Sequence, residues 1–454
     1  MIINHTIREI NPINQKELIE TSSQLRNVLG KHMDIIKQLD PLPSEREKTK
    51  KFRKELIKSF GKFCAICNSD HWIDTHHIVP LEIGGETEIE NLILLCKKHH
   101  TLCHSGYLSI NSIKEISSEW RKGHKDFTNI VSDNRNVSSK PTIMIPPAGI
   151  KNTLDQVLVL QRERKLKKAS ELLVRKLNNS IISEPERNYL FIKLAEINRR
   201  RDMQGSLKKA FFWINNVDLN SLPKKFFPVY AYESFYMYRL AGFHEKALNI
   251  ANSSAESLKV SEDRLRPLEY VAAVTNKILC KLAKYDEPTP SQVEYFINNI
   301  NELKEIAQKH GEYWGGRWAI NCAAHRLQIY VKAKESKKSL VELEKLTNLY
   351  HDCDIRTGWD SGNLQSFSLL KGLTSVLFLN DRDEIKKGVE LLARSFCARQ
   401  RRSQRFEGIR DIGFGISIGF RKLGQHLETA EILSKVMSRS IDGTSYIWPW
   451  IDSH

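Results

Sequence analysis

Between residues 64 and 104 this 454-residue chain places four of its eight cysteines and six of its fifteen histidines. No other stretch constrains the fold as strongly. The run reads Cys64-Ala65-Ile66-Cys67, then Asp74-Thr75-His76-His77-Ile78-Val79-Pro80-Leu81, Gly84-Gly85, Asn91-Leu92, and Leu95-Cys96-Lys97-Lys98-His99-His100, with His104 beyond. Cys64 and Cys67 have two residues between them, the spacing of a zinc knuckle, and Cys96 and His99 repeat it. Two such pairs supply four soft ligands, enough to close a tetrahedral structural Zn²⁺ site. Cys103 is the alternative to His99 as fourth ligand. Eight cysteines in a chain this long are too few for a disulfide scaffold.

The remaining histidines form a second set. His100 and His104 are four apart, so a helix would place both on one face, where two imidazoles can grip a divalent metal. His76 and His77 precede Pro80, which would end a strand. Neighbours on a strand point to opposite faces, so the two histidines have different roles. One can hold a metal while the other faces a substrate as general base, a task suited to an unperturbed pKa of about 6.5.

The whole run resembles the HNH endonuclease family with the ββα-metal fold, in the subgroup that carries a zinc knuckle. The likeness covers about residues 50–125, about a sixth of the chain. It departs in one place: the second knuckle pair is usually Cys-x-x-Cys, and here it is Cys96-x-x-His99. Imidazole is an ordinary zinc ligand, so the site is expected to survive the exchange.

The resemblance implies roles residue by residue. His77 matches the general base that activates water. His76, His100 and His104 match the ligands of a catalytic metal, Mg²⁺ or else Mn²⁺ or Ni²⁺. Asn91 matches the residue whose amide holds the loop that orients the base. Gly84 and Gly85 would form the turn between the strands. Asp74 is either a partner for a histidine N–H or a solvated carboxylate. The implied reaction is hydrolysis of a DNA phosphodiester to 5′-phosphate and 3′-hydroxyl ends.

Outside this segment the chain reads as helical. Apolar residues recur at helical spacing over 15–39, over about 45–60 and over about 112–125. Residues 131–150 are rich in Ser, Asn and Pro and read as a linker. From 151 the 3.6-residue pattern returns in segment after segment. Three turns, each followed by a small residue (Ala169, Ala247 and Ala430), resemble degenerate tetratricopeptide repeats. The fold class expected is mainly α: N-terminal helices (1–60), a small ββα-metal HNH domain (61–130), the linker (131–150) and an α-helical solenoid (151–454).

The formal net charge is +16, with +3 on residues 1–150 and +13 on the rest. That balance fits DNA as partner. Clusters at Arg199-Arg200-Arg201 and at Arg394, Arg399, Arg401, Arg402, Arg405 and Arg410 either track a phosphate backbone or form solvated helix faces. A helical array also offers a surface for a protein partner or for oligomerisation. No apolar run of about 18 residues occurs, and the first ten residues lack an apolar stretch, so no membrane span and a cytoplasmic location are expected. Two functions of different class fit: a regulated DNA endonuclease, of the kind joined to sensory modules in antiviral defence, or a non-catalytic zinc-stabilised scaffold that binds DNA or protein.

Overall fold

The computed structural model describes residues 31–81, 85–104, 108–123, 147–253 and 274–439, apart from short stretches within the last two ranges. The described residues are mainly α-helical, with one two-stranded antiparallel sheet among them. Residues 1–30 and 124–146, which include most of the linker expected from the sequence, lie outside the described residues.

Residues 31–38 are helical, and α1 (Leu42–Phe60) follows. Pro43 sits in the first turn of α1, where a missing N–H leaves no helical bond unmade. Gly61 stops the helix at φ 79°, donating its N–H to the Ile57 carbonyl at 2.9 Å. Strands β1 (Ile73–His77) and β2 (Leu92–Cys96) pair with Ile73 opposite Cys96 and His77 opposite Leu92. Every residue of β2 is buried, as a short, uninterrupted apolar run should be. Helix α2 (Lys97–His104) continues directly from β2, and α3 (Ile110–Arg121) starts at Ser109, whose Oγ accepts the Ser112 N–H at 3.0 Å.

These elements share one core. Leu56 from α1, Ile93 and Leu95 from β2, and Ile113, Ile116 and Trp120 from α3 are buried together. Each buried side chain of this size contributes about 1.5–3 kcal/mol. Two arginines fasten the helices to the strands. Arg53 Nη2 donates to the Ile73 carbonyl at 2.5 Å. Arg121 Nη2 donates to the carbonyls of Ile89 and Leu92 at 2.6 and 2.9 Å, with its guanidinium 5.7 Å from the Phe60 ring centre.

The rest of the described chain is helical: α4 (Lys151–Arg162), α5 (Leu166–Asn179), α6 (Glu184–Arg201), α7 (Ser206–Asn215), α8 (Phe227–Leu240), α9 (Pro290–Gln308), α10 (Glu312–Lys332), α11 (Ser336–Asp352), α12 (Ser361–Phe378), α13 (Arg382–Arg401), α14 (Ile409–Leu423) and α15 (Leu427–Arg439). Packing runs mainly between sequence neighbours, such as α6 with α7, α9 with α10 and α12 with α13. Ala169, Ala247 and Ala430 are each fully buried. At the α12–α13 crossing Gly372 and Gly388 face each other, and a Cβ on either would meet the other's carbonyl oxygen at 3.1 Å.

Arg199 corrects one expectation. It does not face outward for phosphate: its Nε and Nη2 donate to the Glu233 carboxylate at 2.8 and 3.1 Å inside the array. Arg200 and Arg201 side chains, and those of Arg399, Arg401, Arg402, Arg405 and Arg410, lie outside the described residues.

The two parts of the protein share apolar surface. Ile36 and Ile110 are buried in the core built by α10 to α15, and Met33, Ile35, Leu39 and Val79 pack on it. His32 Nδ1 lies 3.0 Å from Thr429 Oγ1 at the same junction.

Candidate active site and metal centre

The β2–α2 junction builds the metal centre. Cys96 ends the strand and His99 lies one helical turn later, so both reach the same side. The Cys64–Cys67 turn is fixed opposite them. Asn68 N–H donates to the Cys64 carbonyl at 2.9 Å, with Asn68 at φ 54°, and Ala65 N–H donates to the Leu94 carbonyl at 2.8 Å. The three sulfurs and the His99 ring nitrogen lie within 4.8 Å of one another. His99 Nδ1 is 3.4 Å from Cys64 Sγ and 3.3 Å from Cys96 Sγ, and Cys67 Sγ is 3.9 Å from Cys96 Sγ. Around a tetrahedral ion with metal–sulfur bonds of about 2.3 Å and a metal–nitrogen bond of about 2.0–2.1 Å, such edges come to about 3.8 Å and 3.6 Å. The donor set therefore fits a structural metal such as zinc.

The electrostatics agree. Burial pushes the Cys64 thiol up to about 12, so a cation is needed to hold it as thiolate. Burial, and then the Lys98 charge, holds the His99 imidazole below its ordinary value, in the neutral form a ligand requires. Cys103 is buried beside the centre, and burial raises its thiol as well, but its sulfur is not one of the four grouped atoms.

A second cluster lies across the sheet. His76 is buried, and its ring meets the ring of His100 edge-on, with centroids 5.2 Å apart. Asp74, two residues before His76 on the strand, is exposed on that side. Burial holds His100 below the usual imidazole range, and the Asp74 carboxylate opposes this. Two of the three histidines matched to a catalytic metal are thus together. His104 ends α2, one turn beyond His100, and its side chain lies outside the described residues.

His77 points the other way. Its Nε2 is 2.9 Å from Thr87 Oγ1. Between β1 and β2 the chain returns through a loop closed by Asn91. Asn91 Oδ1 accepts the Val79 N–H at 2.8 Å, and Nδ2 donates to the carbonyls of Val79 and Glu86 at 3.0 and 2.8 Å. Gly85 lies so close to Val79 that a Cβ there would collide with the Val79 carbonyl. That contact, and not a left-handed backbone, is why a glycine stands at 85. Gly84 lies outside the described residues.

The model of the HNH endonuclease family matches residues 64–107. The match is confined to this segment, about a tenth of the chain. The chain is also similar to Anaredoxin of Nostoc sp. (strain PCC 7120 / SAG 25.82 / UTEX 2576), 35% identical over 69 residues, which are 15% of this chain and 88% of that protein. No solved structure matches the chain.

Two residues at the HNH site were not singled out from sequence. Thr87 lies in an irregular loop with no motif to mark it. Glu45, in the first turn of α1, is a carboxylate near Thr87 and His77: burial raises its pKa, but the influence of Thr87, Lys48 and His77 brings it below the ordinary carboxylate value. Its helical position is legible from the sequence, but its approach to His77 is not.

Proposed function

We propose that this protein is a metal-dependent endonuclease that hydrolyses DNA phosphodiester bonds. The observation that carries the reading is the placement of His76 against His100 with His77 turned to the opposite face. A zinc-stabilised scaffold needs only Cys64, Cys67, Cys96 and His99, and it gives no reason for these further histidines. His76, His100 and His104 would hold a divalent ion, Mg²⁺ or Mn²⁺, in this reading. Such an ion supplies charge that offsets the negative charge developing on the scissile phosphate and leaving oxygen. His77 takes a proton from water as the water oxygen bonds to phosphorus. The bond from phosphorus to the 3′ oxygen breaks, and that oxygen leaves to be protonated by solvent. Asn91 keeps the loop around the base in place.

Residues 151–454 are proposed to form an array that restrains the nuclease or carries it to DNA, with 131–150 as the connection. The core shared by Ile36, Ile110 and α10 to α15 supports a mechanical link between the two parts. An effector in defence against foreign DNA is the biological role that fits a nuclease under such control.

The test is plasmid cleavage by the full chain with Mg²⁺ or Mn²⁺, run beside His76→Ala and His77→Ala variants whose zinc content is unchanged. Metal-dependent nicking lost in both variants is the expected result. Equal nicking by all three proteins, or none by any of them, overturns the reading.

A further inference from the structure

We infer that Trp72 and Lys97 form a platform for an unpaired base of DNA: the base stacks on the indole, and the phosphate beside it meets the Lys97 ammonium. This rests on the reading of the HNH site as a DNA-cleaving one, and it names the form of substrate, a strand with unpaired bases close to the cut.

Folding alone does not account for Trp72. Its side chain is 83% exposed, so the ring adds little to the buried core. Its backbone stands at φ 50°, in the left-handed region that a bulky side chain rarely enters. Gly or Asn serves such a turn better, as Asn68 does at φ 54° in the same loop. Outliers of this kind persist where the surroundings hold them, and they concentrate where a ligand is gripped. Here the chain is held on both sides of Trp72. Before it, the Cys64 N–H donates to the Ser69 carbonyl at 2.8 Å, and the His71 N–H donates to Ser69 Oγ at 3.2 Å. After it, Ile73 is buried and its carbonyl accepts Arg53 Nη2.

The ring sits beside positive charge. Lys97 Nζ lies over it, 6.0 Å from the centroid, and Lys97 and Lys98 are both exposed. An aromatic face next to a cation suits single-stranded DNA, because every base has a π-face and every nucleotide carries a phosphate. Bases inside a duplex stack on each other and are not offered to the ring. The acidic side chains of the same turn and strand are Asp70 and Asp74. Asp70 lies 3.3 Å from His71 Nδ1, and Asp74 Oδ1 accepts the Thr75 N–H at 2.8 Å. Position supports the assignment. Trp72 comes four residues before His76, about 13 Å along an extended strand. Lys97 comes three residues before His100, on the same face of α2. The platform and the His76–His100 pair therefore join the same strand to the same helix. At about 3.4 Å per nucleotide, a strand lying at the histidines reaches Trp72 within a few nucleotides.

The experiment uses the full chain without added Mg²⁺ or Mn²⁺, so that binding is read apart from cleavage. The probes are a labelled oligodeoxythymidine and the duplex it forms with oligodeoxyadenosine, each titrated by fluorescence anisotropy. Wild type should bind the single strand more tightly than the duplex. Trp72→Asn removes the ring and keeps a residue that tolerates the left-handed backbone. It should weaken single-strand binding about 5- to 100-fold, the worth of one stacked base, and change duplex binding by less than about two-fold. Trp72→Phe should keep most of the affinity. Lys97→Met should lower the salt slope of single-strand binding by about 0.7, the share of one phosphate contact. Zinc content and thermal midpoint of Trp72→Asn should match wild type, because the ring lies outside the core. Unchanged single-strand affinity in Trp72→Asn, equal loss on both forms of DNA, or no single-strand binding by wild type each overturns the inference. A Trp72 that serves a protein partner instead would show as the first of these. An unchanged salt slope in Lys97→Met removes Lys97 from the platform. Failure of the proposed function reads differently: a protein that binds the single strand through Trp72 but cleaves no DNA keeps the platform and loses the nuclease reading.

Discussion

His32 and Thr429, 397 residues apart in sequence, meet through a buried contact of 3.0 Å between Nδ1 and Oγ1. Around them Ile36 enters the apolar core of α10 to α15. The helical stretch 31–38 therefore packs on the far end of the chain. Cutting the protein after residue 130 would strip the cover from Ile36, Ile110 and Val79. Control by the array is better tested in the full chain than in such a fragment.

Ile36→Ala is expected to destabilise the protein by about 2–5 kcal/mol, the usual cost of truncating a fully buried isoleucine. Lys31→Ala, which breaks the exposed pair with Glu428, should change stability by less than about 1 kcal/mol. Denaturant midpoints of the two variants check this. Equal midpoints would show that the shared core carries no stability.

One zinc ion per chain should be found by metal analysis. Cys64→Ser or Cys96→Ser should lose it and lower the thermal midpoint, because a structural metal contributes directly to folding free energy. The sign with pH follows from the ligands. Zinc requires thiolates, protons compete for them, and so the ion should leave as pH falls. Zinc retained in full after both Cys96 and His99 are replaced would refute the ligand set.

His77→Ala should lower cleavage by about 10²- to 10⁴-fold, the ordinary contribution of a general base. Zinc content should not change, since His77 lies outside the four grouped ligands. Single-turnover rates measured beside metal analysis separate the two effects. Wild-type turnover would remove His77 from the base role.

Asn91→Ala removes three hydrogen bonds from the loop. The expected cost is about 1–3 kcal/mol for the groups left unsatisfied, together with loss of cleavage. Asn91→Asp should be no better. Its carboxylate can still accept the Val79 N–H, but it would face the carbonyls of Val79 and Glu86 with nothing to donate. Thermal midpoints of both variants test this, and a fully stable Asn91→Asp would contradict the donor assignment.

The sequence by itself determined what depends on local spacing. Two ligand pairs with two residues between them are a metal-site pattern whatever surrounds them. The two-residue period of a strand separates His76 from His77 before any coordinates exist. The 3.6-residue period marks the array as helical, and Gly61 marks the end of α1. Tertiary structure alone decided the rest. It brought Thr87 from a loop to the His77 imidazole, turned Arg199 inward to Glu233, and sank Ile36 into helices that begin at Glu312. No local period encodes such meetings. They arise when separate elements bury their apolar faces together, because that packing dictates which polar side chains come within hydrogen-bonding distance and which charges must find a partner.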